Sequence, residues 1–197
     1  MRTDSAIVAV LAGGLGSRIG GAKATVELAG RPLLSHALDA ARGSGLQTIV
    51  VAKPGTPLPE LAEPIVLEPT APSHPLCGLL AALDYAAETA RSADVVLSAC
   101  DMPFLSGALL RWLGGLEGSA MARVDGRPQP LPARCTWAHR LVLADALARE
   151  RPLSAALEEL EPRIVGEQEL SRFGSPQRLC FSVNDRRDLA LAEEWLS

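Results

Sequence analysis

The chain has 197 residues, of which 48% are hydrophobic and 21% charged, and its net charge is −4. This length and composition predict one globular domain over residues 1–197 and exclude intrinsic disorder. The acidic balance and the 4% aromatic content argue against nucleic-acid binding, and no apolar run reaches the roughly 18 residues that a membrane span needs.

The four cysteines, Cys77, Cys100, Cys135 and Cys180, are widely spaced and form no CxxC pair. This spacing argues against a zinc site or a redox pair. Cys100 and Cys180 each end an apolar stretch, which is typical of reduced, buried thiols. We therefore expect a cytoplasmic protein.

Strand and helix patterns alternate along the first half of the chain. Short apolar runs without charge predict strands that are buried on both faces of a parallel sheet. The predicted strands are 6–11, 48–52, 64–67 and 94–100, and the predicted helices are 32–43 and 77–90. This order predicts a three-layer α/β/α sandwich with a mostly parallel, Rossmann-like sheet.

A hairpin and several short elements are predicted for the second half. Asp125-Gly126 is a strong turn signal between predicted strands 119–123 and 130–134. Ser106 is the expected N-cap of a helix over 106–116. Further helices are predicted at 138–149, 153–159 and 187–195, and further strands at 163–165 and 179–183.

A glycine-rich segment follows the first strand directly and includes Gly13, Gly14 and Gly16. Glycines let backbone N–H groups approach an anion closely, and Arg18 and Lys23 add positive charge to the segment. Its position, at the end of a buried strand, is where open α/β sheets bind ligands. We therefore predict a phosphate-binding loop.

This segment matches neither of two common phosphate-binding motifs. A Walker A motif needs Lys directly after its last Gly and then Ser or Thr, whereas Lys23 lies between Ala22 and Ala24. The dinucleotide fingerprint needs Gly where Ile19 stands.

Asp101 follows predicted strand 94–100, so its carboxylate is expected over the crevice at the end of the sheet. Mg²⁺ that is bound with a nucleotide takes one or two carboxylates and completes its shell with water and phosphate oxygens. Asp101 is therefore a candidate metal ligand. A loop or N-cap aspartate is the alternative.

Five segments in a fixed order cover nearly the whole chain: 11–23, 28–34, 75–79, 100–105 and 181–189. The first has Leu-Ala-Gly-Gly followed by Arg18 and Lys23, and the fourth reads Cys-Asp-Met-Pro-Phe-Leu. Together they resemble the molybdenum cofactor guanylyltransferase family, a group of nucleotidyltransferases with the nucleotide-diphospho-sugar transferase fold. The chain departs from the family pattern at Ala22, Lys53 and Ser182.

The resemblance implies Mg²⁺-dependent transfer of GMP from GTP to molybdopterin, the organic part of the molybdenum cofactor, with release of pyrophosphate. It implies that Arg18 and Lys23 neutralise phosphates and that Asp101 holds Mg²⁺. The residues implied to bind nucleotide or metal are Leu11, Ala12, Gly13, Gly14, Gly16, Lys23, Glu68, Gly78, Asp101 and Asn184.

Base and acceptor recognition are assigned by the same resemblance. Glu68 follows the third strand, where a carboxylate would accept the paired N1–H and N2–H₂ donors of guanine, with a surface glutamate as the alternative. Asn184 is a candidate contact to metal, phosphate or pterin, with a local turn as the alternative. The hairpin residues Arg123, Arg127, Gln129 and Arg134 are candidates to face the acceptor or are solvated strand residues.

Two alternatives to GMP transfer stay open at this point. Cytidylyl transfer to molybdopterin or another phosphorylated acceptor fits the loop spacing equally well. A non-catalytic nucleotide-binding regulator is the alternative from another class. The expected partners are GTP and molybdopterin, with neither nucleic acid nor membrane, and contacts with other cofactor-biosynthesis proteins are a further expectation.

Overall fold

The computed structural model describes residues 6–14, 19, 21–89 and 94–197. The strands are β1 Ile7–Leu11, β2 Glu27–Leu28, β3 Arg31–Pro32, β4 Thr48–Ala52, β5 Ile65–Leu67, β6 Val95–Ala99, β7 Ala120–Val124, β8 Arg127–Cys135 and β9 Arg163–Val165. The helices are α1 Leu33–Gly43, α2 Pro75–Thr89, α3 Gly107–Gly114, α4 Arg140–Ala148, α5 Leu153–Glu158, α6 Glu167–Leu170, α7 Pro176–Leu179 and α8 Arg186–Leu196, with 3-10 turns at Lys23–Thr25 and Trp137–His139.

Seven strands form the central sheet in the order β5-β4-β1-β6-β8-β7-β9. Strands β5, β4, β1 and β6 are mutually parallel, and only β8 runs against its neighbours β6 and β7. The carboxyl ends of β1, β4, β5 and β6 therefore meet at one edge. This edge is where an open α/β sheet forms its ligand crevice.

The core has two layers because side chains along each central strand alternate between the faces of the sheet. Val8 and Val10 of β1 pack with α1 and α3, whereas Ile7 and Ala9 pack with α2, α4 and α5. Both sets are almost fully buried, as expected for a parallel strand covered on two sides. The predicted three-layer α/β/α architecture is confirmed.

The predicted hairpin is confirmed, and its turn has the backbone that the sequence requires. Asp125 and Gly126 both have positive φ, of 50° and 72°, which is the conformation of a type I′ turn. Strand β8 is longer than predicted, and a register shift between Met121 and Ala122 of β7 accommodates the extra residues.

The strand predicted at 179–183 is wrong. Helix α7 ends at Leu179, and the following residues pair with no strand of the described chain. The apolar residues of this segment are used in packing instead: Phe181 and Val183 join a third cluster with Ile19, Leu28 and Leu33. Side-chain burial, not a backbone ladder, fixes this segment.

The expected N-cap of α3 is placed correctly, but Ser106 makes no side-chain capping hydrogen bond. The other predicted helices are present, with ends that differ by a few residues. None of the helices in the described ranges combines the length and the apolar character that crossing a bilayer requires.

Candidate active site

A cavity of about 470 Å³ opens at the carboxyl edge of β1, β4, β5 and β6. Polar side chains line its floor, and Pro130, Leu131 and Leu153 form an apolar wall. Six of the residues predicted to bind nucleotide or metal line this cavity: Leu11, Gly13, Gly14, Lys23, Glu68 and Asp101.

The first end of the cavity, here called the phosphate end, is formed by Lys23, Asp101 and Asn184. The Lys23 ammonium donates to Asp101 Oδ2 at 2.5 Å and to Asn184 Oδ1 at 2.7 Å. Lys23 belongs to the 3-10 turn after the glycine loop, whereas Asp101 follows β6 and Asn184 precedes α8. Three distant segments therefore converge on one ammonium group.

Asp101 is held by the end of the central sheet. The Cys100 N–H donates to Leu11 O at 2.9 Å, and the Met102 N–H donates to Ala99 O at 3.2 Å, which closes a turn around the aspartate. The residue is only 8% exposed. The sheet thus fixes its carboxylate beside the glycine loop.

Asn184 is held by the segment that was wrongly predicted as a strand. The Val183 N–H donates to Asp101 O at 2.8 Å, so this segment is tied directly to the aspartate. The Asn184 N–H donates to Asp188 Oδ2 at 2.8 Å, and its side-chain amide donates to Ser182 O. Asp185 caps α8 through the N–H groups of Arg187 and Asp188, and is therefore a cap residue.

Aromatic packing supports the same segment from behind. The Phe181 ring lies 4.8 Å from that of Trp195 and 6.2 Å from that of Phe104, measured between centroids. Phe104 follows Asp101 by three residues, so one aromatic cluster braces both the aspartate turn and the asparagine segment. Edge-to-face and tilted ring contacts of this kind favour a defined geometry.

The second end of the cavity, here called the base end, is formed by Glu68 with Gly13, Gly78 and Lys53. Glu68 is 8% exposed, and its carboxylate lies where side chains at Gly13 and Gly78 would stand. A methyl group on Gly13 would overlap Glu68 Oε1, whereas one on Gly78 would first meet Leu11 Cδ2 at 2.6 Å and then Glu68 Oε2 at 3.1 Å. Glycine at position 13 therefore admits the carboxylate, and glycine at position 78 admits both Leu11 and the carboxylate.

Among the described residues, none donates a hydrogen bond to the Glu68 carboxylate. Burial raises the pKa of this carboxyl group, and the charge of Lys53 offsets the increase in part. The carboxylate lines the cavity, so its oxygens are acceptors that a ligand can reach.

Lys53 lines the base end and was missed as a site residue. In the sequence it stands alone after an apolar strand and belongs to no motif, so pattern reasoning treated it only as a departure from the family. The neighbouring Cys77 is a buried thiol whose pKa is raised by burial and by Glu68. Ser182, the other departure on the cavity wall, also lines the site.

The remaining predicted residues lie in other places. Ala12 is fully buried beneath the cavity, and its N–H donates to Val51 O at 2.8 Å. Gly78 lies in α2 behind Glu68. Arg18 and Gly16 lie outside the described residues, so their predicted roles stay predictions.

For Arg134 of the hairpin, both predictions were wrong, namely that it faces the acceptor and that it is a solvated strand residue. It neither faces the cavity nor is solvated: it is 5% exposed and donates to Asp94 Oδ2 at 2.7 Å and to Gly118 O. It therefore ties the start of β6 to the hairpin. Among the described residues of the hairpin, Pro130 and Leu131 line the cavity.

The phosphate end offers oxygen ligands of the kind that Mg²⁺ prefers. Within the described ranges no group of three or more His, Cys, Asp or Glu side chains could hold a metal ion. Mg²⁺ in nucleotide sites needs only one or two protein oxygens, because phosphates and waters complete the shell. Asp101 and Asn184 fit this pattern, since their oxygens already share one cation, the Lys23 ammonium.

Comparisons with known proteins show which family has this fold and site. Residues 8–164 match the family model described as the MobA-like NTP transferase domain. The chain belongs to this family. As a MobA-like NTP transferase it is an enzyme of the nucleotidyltransferase class, and the predicted family resemblance is confirmed.

Individual relatives agree over nearly the full chain. A molybdenum cofactor guanylyltransferase of Cereibacter sphaeroides is 34% identical in an alignment that covers 95% of this chain and 95% of its own. A probable molybdenum cofactor guanylyltransferase of Bacillus licheniformis is 30% identical over 91% of this chain and 92% of its own.

Solved structures agree with the fold of this MobA-like enzyme. The molybdopterin-guanine dinucleotide biosynthesis protein A of Archaeoglobus fulgidus superposes with a TM-score of 0.78 at 26% identity, covering 96% of this chain and 97% of its own. A 2-C-methyl-D-erythritol 4-phosphate cytidylyltransferase of Thermus thermophilus has a TM-score of 0.67 at 19% identity over 96% and 98%, which shows the fold alone.

Proposed function

We propose that the protein transfers GMP from GTP to molybdopterin, in a Mg²⁺-dependent reaction that releases pyrophosphate and belongs to molybdenum cofactor biosynthesis. The names of the relatives from C. sphaeroides and B. licheniformis support the acceptor and the nucleotide. The observation that carries the proposal is the pairing of a cation-and-oxygen cluster at one end of the cavity with a buried, donor-free carboxylate at the other.

The reaction joins an oxygen of the acceptor phosphate to the α-phosphorus of GTP. The bond between the α-phosphorus and the bridging oxygen breaks, and pyrophosphate leaves with that oxygen. Because a phosphate nucleophile is already ionised, no side chain has to remove a proton. Catalysis then depends on positioning the two phosphates and on stabilising the charge that builds on the leaving group.

The phosphate end supplies those two functions. Lys23 carries a positive charge beside the glycine loop, and Gly14, where an added methyl group would meet only the Lys23 side chain, leaves room for phosphate oxygens against the backbone. Arg18 and Gly16 have the same proposed roles from the sequence. When bound, Mg²⁺ would neutralise phosphate charge, and Asp101 and Asn184 are the residues proposed to hold it.

For Lys23 to neutralise phosphate and Asp101 to hold a metal, their ion pair must open. In the described structure the ammonium occupies the position between Asp101 and Asn184. Asp101 and Asn184 are the residues that would hold a metal ion, and Lys23 would then be free to pair with the phosphates of the nucleotide. In the free protein the ammonium pairs with both oxygens.

Glu68 supplies recognition of the base. Guanine presents two adjacent donors, N1–H and N2–H₂, which one carboxylate accepts together, whereas adenine and cytosine each present one amino group beside an acceptor nitrogen. The carboxylate must be ionised to accept both donors. Glu68 follows β5 and Asp101 follows β6, and strands β4 and β1 lie between them in the sheet. This separation suits a nucleotide whose base lies at Glu68 and whose phosphates lie at the glycine loop.

A cytoplasmic location is proposed on the same grounds as in the sequence. All four cysteines are free thiols, and burial raises the pKa of Cys100, Cys135 and Cys180 to about 12. Such thiols are unreactive and suit a reducing compartment.

The test is a melting-temperature panel of GTP, CTP, ATP and UTP with Mg²⁺, followed by pyrophosphate release with molybdopterin. We expect the largest stabilisation from GTP and pyrophosphate release only when GTP and the acceptor are both present. A larger shift in melting temperature with CTP, together with pyrophosphate release from CTP, would mean that the reaction is cytidylyl transfer and not guanylyl transfer. Stabilisation by GTP without any release would favour the non-catalytic regulator.

A further inference from the structure

The two outer strands of the central sheet differ in how their free edges are protected. At one edge, β9 carries Arg163, whose guanidinium donates to Glu169 Oε1 at 2.6 Å. At the other edge, β5 carries no charge, and its Ile65 and Leu67 are 49% and 60% exposed. Natural sheets blunt their edges with charges or covering segments. Strand β5 has no charge of its own and, within the described chain, pairs with β4 only.

The backbone of β5 directs hydrogen-bonding groups toward this free edge. In a parallel ladder, successive residues of a strand turn their N–H and C=O groups to alternate sides. The Glu68 N–H donates to Ala52 O at 3.0 Å, and Pro64 O also accepts from β4, so the even-numbered positions of this segment face β4. The N–H and C=O groups of Ile65 and Leu67 therefore point outward, away from β4.

These outward groups are self-complementary. When two copies of β5 run antiparallel about a two-fold axis at Val66, Ile65 of each copy lies opposite Leu67 of the other. Such a pair exchanges two N–H···O bonds, so the two pairs together make four and use every outward group. The four apolar side chains then lie on one face of the joined sheet and cover one another's exposed surface.

The residues that flank β5 suit this register. Pro64 faces β4, so its missing N–H removes no donor from the outer edge, whereas Pro69 has no N–H to offer and ends the pairing. A shift by two residues would place Pro69 opposite Ile65 and leave the Ile65 C=O without a donor. In the unshifted register, Glu63 lies opposite Pro69 of the second copy. Glu68 lies opposite Pro64 of the second copy, so no like charges face each other.

We propose that β5 is a self-association surface, through which two copies of this chain pair antiparallel over Ile65–Leu67 and join their sheets. A two-fold contact uses the same edge of both copies and closes on itself, so it forms dimers and not fibres. Because the paired strands run in opposite directions, the two cavities open at opposite edges of the joined sheet. The pairing is shorter than that of permanent dimers, so the dimer is reversible, and it is independent of the proposed reaction.

Sedimentation velocity of the full-length protein over roughly 1–500 µM measures the dimer fraction. Ile65→Lys places a charge at the free edge and should move the monomer–dimer midpoint to at least about 10-fold higher concentration. Ile164→Lys is the matched control at the other edge strand, and Leu141→Lys is the control for an exposed apolar residue on α4, where Leu141 is 77% exposed. Both controls should associate like the wild type, and circular dichroism checks the fold of each variant.

Single cysteine substitutions test the register directly. Val66 lies opposite its own copy in a pair without hydrogen bonds, where the Cα atoms are about 4.5 Å apart, a distance that a disulfide spans. Val66→Cys should therefore cross-link two chains under mild oxidation. Ile65→Cys should not, because diagonal positions are roughly 7–8 Å apart, even though Ile65 is the more exposed residue. Non-reducing electrophoresis measures both, with the wild type as the background from the native cysteines.

Several results would overturn the inference. They are a wild type that stays monomeric over this range, a dimer that either control disrupts as strongly as Ile65→Lys, a Val66→Cys protein that does not cross-link, and equal cross-linking of Val66→Cys and Ile65→Cys. If Ile65→Lys fails to fold, the two cysteine variants decide the question, because neither places a charge in the strand.

Discussion

The phosphate end and the base end of the cavity each contain a largely buried carboxylate, but the two carboxylates differ in their hydrogen-bond partners. At the phosphate end each described polar group has a partner, because the Lys23 ammonium bridges Asp101 and Asn184. At the base end the Glu68 carboxylate is equally buried, yet no described residue donates to it. At the phosphate end the lysine donates to the carboxylate, whereas at the base end Lys53 donates to Thr70 O and leaves the Glu68 carboxylate without a donor.

This difference has an energetic consequence. A paired ionic cluster adds little strain to the fold, but ligand binding must first open it. A buried carboxylate without donors costs stability in the free protein, and a ligand that supplies donors recovers that cost. We therefore expect the phosphate end to control turnover and the base end to control which nucleotide binds.

The largest effect should come from removing the charge of Asp101. Asp101→Asn keeps the shape of the side chain but removes the carboxylate proposed to hold Mg²⁺, so pyrophosphate release should fall by at least roughly 10²–10³-fold. The fold should survive, because the change leaves no cavity. Pyrophosphate release over a Mg²⁺ titration measures the effect, with circular dichroism as the folding control.

A folded Asp101→Asn protein with the wild-type rate and the wild-type Mg²⁺ dependence would refute the metal role. It would also remove the reason for treating the two ends of the cavity as functionally different.

The two lysines allow the second test, since each marks one end. Lys23→Met should lower kcat by roughly 10²–10³-fold while KM for GTP changes less, because the charge it neutralises grows in the transition state. Lys53→Met is the matched control and should mainly raise KM. Steady-state kinetics on both variants measures the contrast, and a near-normal kcat in Lys23→Met would place that lysine outside the chemistry.

A single methyl group tests the base end without touching a charge. Gly13→Ala would put its methyl on the Glu68 carboxylate, so the carboxylate must move and KM for GTP should rise about 10-fold, the value of one charged hydrogen bond. Gly21→Ala is the control, because no described atom lies within 4 Å of its added methyl group. If both variants behave alike, the effect belongs to the loop and not to Glu68.

The sequence predicted the sheet and the edge where the site lies, because both depend on local signals. Charge-free apolar runs mark the parallel strands, and Asp125-Gly126 marks the hairpin through its positive φ angles. Asp101 and the glycine loop could be placed at the sheet edge for the same reason, since each follows a strand directly.

The features of the site that the sequence did not predict depend on contacts between residues far apart in the chain. Lys23 and Asn184 are 161 positions apart and meet only because the segment after α7 folds back onto Asp101. That segment was predicted as a strand, whereas Phe181 packs into an aromatic cluster with Phe104 and Trp195. Lys53 was missed because its position beside Glu68 depends on the β4–β5 register, which no local pattern reveals.

The smallest effect should be a gain in thermal stability when Glu68, at the base end, is replaced by glutamine. Burial raises the pKa of Glu68, so the folded chain binds that proton more tightly than the unfolded chain does. Keeping the carboxylate ionised then costs stability above its folded pKa, and the cost is absent below its unfolded value of about 4.3. Glu68→Gln removes the charge and should raise Tm near neutral pH by about 2–4 °C, if the cost is ~1 kcal/mol.

The pH dependence of this gain separates the charge from a change in packing. The difference in Tm between Glu68→Gln and the wild type should shrink as the pH falls and vanish below about pH 4. In the same variant the stabilisation by GTP should weaken more than that by ATP, because only guanine loses a paired acceptor. Thermal melts with and without each nucleotide measure both quantities. A variant that is less stable at neutral pH, or that loses GTP and ATP equally, would mean that Glu68 is a structural carboxylate and that the base lies elsewhere.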